Sequence, residues 1–214
     1  MAGSRIPGPI GTSGLPQALD DGTMTRALSP LPSPIGILPP SDGTRSNKDM
    51  RADQIRMAQN KDYLKKANVK AFIGAIAAAE GGDYNLKFGG VKGKKNDKWQ
   101  FSDYKTHPGA GADGKTTAAG MYQINKSTWN EMGAKMGLSD FSPETQDLLA
   151  VEILRTIHII DNIVAGDIDT ALKAASRRWA ALPQGPNEGG RYNQPYMSYE
   201  KFIDTYKKLG GSVR

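Results

Sequence analysis

Val69, Phe72, Ile73, Ile76 and Ala77 recur at i, i+3, i+4, i+7 and i+8, the spacing of one buried helix face. Gly81-Gly82 follows and supplies the left-handed residue that ends such a helix. Upstream, Lys48 to Lys66 is charged and helix-permissive, which predicts a linker helix over residues 47–67. The stretch 84–125 mixes aromatics with glycine and turn residues and keeps no helical period, so short strands and loops are expected there. It includes a basic excursion, Lys92-Gly-Lys-Lys-Asn-Asp-Lys98. Helical signals return at Ser127. Ser142-Pro143 reads as an N-cap with proline at the first helical position, opening a helix through Leu149, Ile153, Ile157 and Ile160 to Gly166. His158 falls inside that helix as an expected core residue. Asp167 can cap the next helix, with Ala171, Leu172, Ala175, Trp179 and Leu182 facing inward and Pro183 as the stop. Ser198 begins a last helix through Phe202 and Tyr206, closed by Gly210-Gly211. The expected class is α+β, mostly helical, with a small irregular β region.

Composition moves the start of the folded domain. No aromatic residue precedes Tyr63, and residues 1–46 hold 8 of the 13 prolines. That opening segment's stretches Ile6-Pro-Gly-Pro-Ile10 and Leu31-Pro-Ser-Pro-Ile-Gly-Ile-Leu-Pro-Pro40 cannot supply a helix or a central strand. It reads as an extended Pro/Gly-rich arm, whose Ile6, Ile10, Ile35, Ile37 and Leu38 suit docking on a partner surface. The compact domain is expected over residues 68–214.

Charge and chemistry narrow the class further. The 214 residues contain no cysteine, which excludes disulfides, thiolate nucleophiles and zinc-finger ligand sets. The net charge is +6. The longest nearly unbroken apolar run, Ala71 to Ala79, is too short for the roughly 20 residues of a membrane span. The N-terminus has no basic start followed by an apolar stretch, so no signal peptide is expected.

Glu80 is the residue with the sharpest chemical reading. It lies four residues after Ile76, seven after Ile73 and eight after Phe72, on the buried helix face. It also occupies the last turn, where the helix dipole disfavours a carboxylate. Burial and dipole both push its pKa upward, toward about 6, which suits a glycosidase general acid. Such an enzyme also needs a sugar platform. Thr116-Thr-Ala-Ala-Gly-Met-Tyr-Gln-Ile124 offers close backbone approach with Tyr122 and Gln123, and Trp179 and Tyr192 are candidates for stacking on sugar rings. Trp129 and Trp179 also fit as core residues.

These segments resemble the lambda-type endolysin family, small lysozyme-fold enzymes that cleave peptidoglycan as lytic transglycosylases. Seven motifs in order carry the resemblance over about residues 68–211: Ala79-Glu-Gly-Gly-Asp83, Phe101-Ser-Asp-Tyr-Lys-Thr-His-Pro108, Ala119-Gly-Met-Tyr-Gln123, Asp140-Phe-Ser-Pro-Glu-Thr-Gln-Asp147, Gly166-Asp-Ile168, Trp179-Ala-Ala-Leu-Pro183 and Gly210-Gly211. The resemblance implies a lysozyme-like fold, no cofactor and no metal. It places Glu80 as the single catalytic acid/base. It places Tyr122, Gln123 and Ser102 in segments that line the family's glycan groove, and with Asp103, Tyr104, His107 (on a loop), Gly120, Trp179 and Tyr192 these make up the expected glycan-binding set. The family's reaction yields a 1,6-anhydro sugar without consuming water. Asp83, Asp103 and Asp113 remain candidate partner carboxylates for a hydrolytic alternative. The implied partner is the glycan strand of bacterial peptidoglycan, with phage virion proteins as a second partner through residues 1–46. Expected locations are the phage virion, or the host cytoplasm before release to the periplasm.

Other classes fit less well. Gly109-Ala-Gly-Ala-Asp-Gly114 matches a dinucleotide fingerprint, but Pro108 precedes it and no helix signal follows closely. His107 and His158 are the only histidines and lack zinc-peptidase spacing. The basic residues are scattered, without the basic helix or aromatic-interleaved sheet that nucleic-acid binding would use. A structural virion protein with an inactive lysozyme-like domain is the remaining alternative, against which the intact Glu80 counts.

Overall fold

The computed structural model describes residues 46–214, so the arm read over residues 1–46 lies outside the described residues except for Ser46. Ser46 opens α1 (Asn47–Lys65) with a reciprocal capping box, its hydroxyl accepting from Asp49 N–H while the Asp49 carboxylate accepts from Ser46 N–H. After Lys66, α2 (Ala67–Glu80) carries the predicted apolar stripe into the core and ends at Gly81 in the left-handed region, φ 65°. A long irregular segment separates it from α3 (Lys126–Ala134), α4 (Pro143–Thr156), α5 (Ile160–Ala165) and α6 (Ile168–Ala175). Then come β1 (Pro183–Gly185), β2 (Glu188–Gly190) and α7 (Tyr199–Lys208). The capping residues read from the sequence, Ser142, Asp167 and Ser198, each accept from a backbone N–H of the first turn.

The core gathers around α2 and α4. Phe72 packs edge-on to Phe202 and Tyr206 of α7, with centroids 5.4 and 6.4 Å apart. Helix α1 does more than connect. It packs along α4, where Glu152 is fully buried and would be an uncompensated charge on its own. Arg56 Nη2 lies 2.6 Å from Glu152 Oε1, and Asn60 Nδ2 donates to Oε2 at 2.9 Å. Both partners come from α1.

Three expectations are corrected. The helix expected from Ser142 to Gly166 breaks after Thr156 and restarts at Ile160. His158 sits between the pieces at φ 59° and is exposed, not a core residue. The break turns both Ile159 and Ile160 inward, which neighbouring positions on one helix do poorly. The helix expected to run through Leu182 ends at Ala175. Trp179 and Leu182 are buried as expected, but from turns, and the residue before Pro183 is biased away from helical geometry. Finally, the only ladder among the described residues is β1–β2, antiparallel with Pro183 opposite Gly190 and Gly185 opposite Glu188. Residues 84–125, expected to hold the strands, form isolated bridges: Leu86 with Gln100, Lys87 with Ala119, and Ala119 with Ile124.

Candidate active site

The end of α2 delivers Glu80 against two backbones. Gly82 is so close to the chain at Gly120 and Met121 that an added Cβ would stand 2.5 Å from both carbonyl oxygens. Gly120 is itself left-handed, φ 79°, and has the Gln146 amide where a side chain would be. Gly120 N–H donates to Leu86 O at 2.8 Å. The Glu80–Gly82 turn and the 119–124 hairpin are thereby fixed to each other by main chain.

Glu80 meets the electrostatic expectation. Its Oε1 is sealed from solvent and lacks a hydrogen-bond partner, whereas Ala181 N–H donates to the carboxylate. Burial raises its pKa from 4.5 to about 7, and the Ala181 hydrogen bond only partly opposes that rise. At neutral pH a large fraction of this carboxyl keeps its proton. Ala181 belongs to the loop between Trp179 and β1, so that loop reaches the carboxyl as well.

The remaining residues read as the glycan-binding set separate into two groups. Ser102 and Asp103 are exposed, and Tyr104 and Tyr192 are half-buried with accessible surface left. Tyr104 is raised in pKa by burial and by the Asp83 charge. Gln123 is half-buried at φ 47°, its Nε2 donating back to Gly120 O. The others are internal. His107 is 4% exposed, and both ring nitrogens are engaged, Nε2 with Ile124 O at 2.9 Å and Nδ1 accepting from Gly109 N–H at 3.1 Å. Burial lowers its pKa to about 4, so it is neutral. Trp179 is buried as a strut, its Nε1 donating to Tyr122 O at 3.1 Å, and offers no face for a sugar. The Tyr122 ring is buried, with its hydroxyl donating to Asp147 Oδ1 at 2.7 Å. Gly120 contributes backbone proximity alone.

Sequence reasoning missed the residues that hold this arrangement together. Asp147 Oδ1 also accepts from the Tyr84 hydroxyl at 2.8 Å. Its neighbour Gln146, fully buried, accepts from Met121 N–H at 2.8 Å and donates to Tyr84 O and Phe141 O, each at 2.9 Å. Two consecutive residues of α4 thus bind both the segment after Glu80 and the 120–122 turn. The available signal was Gln146 itself, a polar residue at i with Leu149 at i+3 and Ile153 at i+7 on the buried stripe.

A family model described as Endolysin matches residues 70–213. The chain belongs to the endolysin family. The endolysin of Escherichia phage P2 is 32% identical over 162 residues, spanning 67% of this chain and 93% of that protein. The endolysin of Escherichia phage lambda is 31% identical over 159 residues, spanning 68% of this chain and 92% of that protein. A solved structure of bacteriophage lambda lysozyme complexed with a chitohexasaccharide superposes with a TM-score of 0.57 at 31% identity, covering 69% of this chain and 97% of that one. The lysozyme fold of this endolysin family member is therefore that of the lambda enzyme. Helix α1 lies ahead of the family match, an addition to the endolysin core.

Proposed function

We propose that the protein degrades bacterial peptidoglycan by lytic transglycosylation, with Glu80 as the sole acid/base. The Glu80 carboxyl protonates the oxygen joining N-acetylmuramic acid to N-acetylglucosamine, and the bond from that oxygen to C1 of the muramic sugar breaks. The muramic C6 hydroxyl then attacks C1, and ionised Glu80 takes its proton. The acid is regenerated, a 1,6-anhydro end forms, and no water is consumed.

The observation that carries this reading is the buried Glu80 carboxyl with its pKa near 7. The carboxylates considered as hydrolytic partners support it by being otherwise employed. Asp83 Oδ1 accepts from Tyr84 N–H at 2.8 Å, Asp103 Oδ1 from Lys105 N–H at 2.9 Å, and exposed Asp113 organises the turn to Thr116. Similarity to a lysozyme solved with a chitohexasaccharide supports a β-1,4-linked amino-sugar strand as the bound class. Residues 1–46, on this reading, attach the enzyme to the phage particle.

Mass spectrometry of fragments released from purified peptidoglycan tests the mechanism. Muropeptides one water lighter than their reducing counterparts are expected. Fully hydrated reducing ends would make the enzyme a hydrolase, and no fragments would refute enzymatic function.

A further inference from the structure

The basic excursion between Phe88 and Phe101 is a built loop with a buried acidic centre. Asp97 is 5% exposed and organises it from inside: Oδ2 accepts from Val91 N–H at 3.3 Å, and Oδ1 accepts from Trp99 N–H at 2.8 Å. Lys94 Nζ lies 3.6 Å from the same carboxylate. Lys92, Lys95 and Lys98 are exposed on the outside. Lys98 and Lys87 hold their ammonium groups 5.3 and 5.8 Å from the centroid of the Trp99 ring. An aromatic residue and one internal carboxylate thus position a cluster of cations that exceeds its own counter-charge.

The position of this loop follows from main-chain bonding. Trp99 O accepts from Lys87 N–H at 2.9 Å, Leu86 O accepts from Gly120 N–H at 2.8 Å, and Gly120 lies against Gly82. Two bridge-forming segments, one at Leu86–Lys87 and one at Ala119–Gly120, thus lie between Trp99 and the turn carrying Glu80. In stem-bearing peptidoglycan the lactyl carboxyl of each muramic residue is an amide to the peptide, so the sugar backbone itself is uncharged. The groups on peptidoglycan that suit such a cluster are the carboxylates of the peptide stems on muramic residues next to the cleaved bond.

We propose that the 91–99 loop is a peptide-stem recognition surface, in which Lys92, Lys95 and Lys98 engage stem carboxylates. The proposal rests on the peptidoglycan reading of the site and adds a specificity element to it. The loop favours strands that keep their peptides over denuded glycan, and does so through binding rather than chemistry.

The test is a Lys92→Gln/Lys95→Gln/Lys98→Gln variant, with Lys94 retained for Asp97. Steady-state rates are measured on peptidoglycan with intact stems and on glycan strands stripped of peptide by an amidase and capped as methylamides at the lactyl carboxylates so exposed. On intact substrate at low salt, KM should rise about tenfold with kcat unchanged, and the wild-type loss of affinity with added salt should flatten. On stripped strands the variant and wild type should coincide. An equal KM change on both substrates would mean that the loop reads sugars and would overturn the proposal, as would an unchanged KM on the intact substrate. Salt-sensitive binding of single-stranded DNA by the wild type, lost in the variant while KM holds, would reassign the surface to nucleic acid. If the wild type cleaves neither substrate, the peptidoglycan reading itself fails, an outcome distinct from all of these.

Discussion

Glu80→Gln should abolish peptidoglycan cleavage and stabilise the protein in the same stroke, with the stabilisation appearing only as pH rises. The carboxyl titrates near 7 in the fold against 4.5 in its ordinary state, because burial penalises the charged form. A raised carboxyl pKa means that the folded state binds the proton more tightly than the unfolded chain. The penalty is thus absent below about 4.5, grows through the interval, and is complete above about 7. At 1.36 kcal/mol per unit, it reaches roughly 3 kcal/mol. Glutamine keeps the shape and never ionises, so it escapes that penalty. For a protein of this size, about 2–4 °C accompanies each kcal/mol, and the melting temperature of the variant should pull ahead by roughly 6–12 °C between pH 4 and pH 8. The assay is a series of thermal melts of both proteins across that range. The changing gap isolates the proton-linked part, since any constant effect of the amide cancels. A gap that stays flat from pH 4 to 8 would show that Glu80 is not perturbed and would remove the physical basis for its acid role. In parallel, wild-type kcat/KM should fall as pH rises through about 7, where the acid loses its proton.

Gly82→Ala should leave a folded protein with activity down by about a hundredfold, because the new Cβ must displace the 120–121 backbone and misplace Glu80 by a fraction of the site's width; circular dichroism beside a turbidity assay would check both halves. Arg56→Ala should destabilise the fold by about 2 kcal/mol, moderated by the partial exposure of Arg56, and Arg56→Met combined with Glu152→Met should restore most of that loss in urea titrations. Removing residues 1–45 should leave cleavage of purified peptidoglycan intact while the enzyme disappears from purified phage particles, which immunoblotting would detect; undiminished incorporation would refute the arm's role. His107→Gln should cost stability yet leave the activity profile between pH 5 and 8 unmoved, since the histidine is neutral throughout that range.

The sequence was most informative where period and cap agreed. Helix α2 and its Gly81 stop, α7 behind Ser198, and the placement of Glu80 in the last turn of α2 all follow from local pattern. It misled where one pattern served two structures. Leu149 to Ile160 keeps an apolar helical rhythm, but a left-handed His158 satisfies burial better than a straight helix does. Trp179 and Tyr122 have the chemistry of sugar-binding residues, and only three-dimensional packing shows their polar atoms already spent on Tyr122 O and Asp147. The role of α1 was illegible because it depends on a carboxylate 96 residues away, Glu152, whose burial no local window reveals.

The adjacent pair Gln146 and Asp147 has a consequence for motion. One turn of α4 is bonded to the chain just beyond Glu80 and, with the same two side chains, to the turn at Met121 and Tyr122. Neither the segment after Glu80 nor the 120–122 turn can move away without tearing bonds to the same turn of α4. The two segments therefore form a single cooperative unit, and their amides should exchange with solvent together, at the rate at which the start of α4 unfolds. The Glu80 turn is thus held at a fixed separation from the 120–122 turn, and any breathing between them must wait for α4 to open.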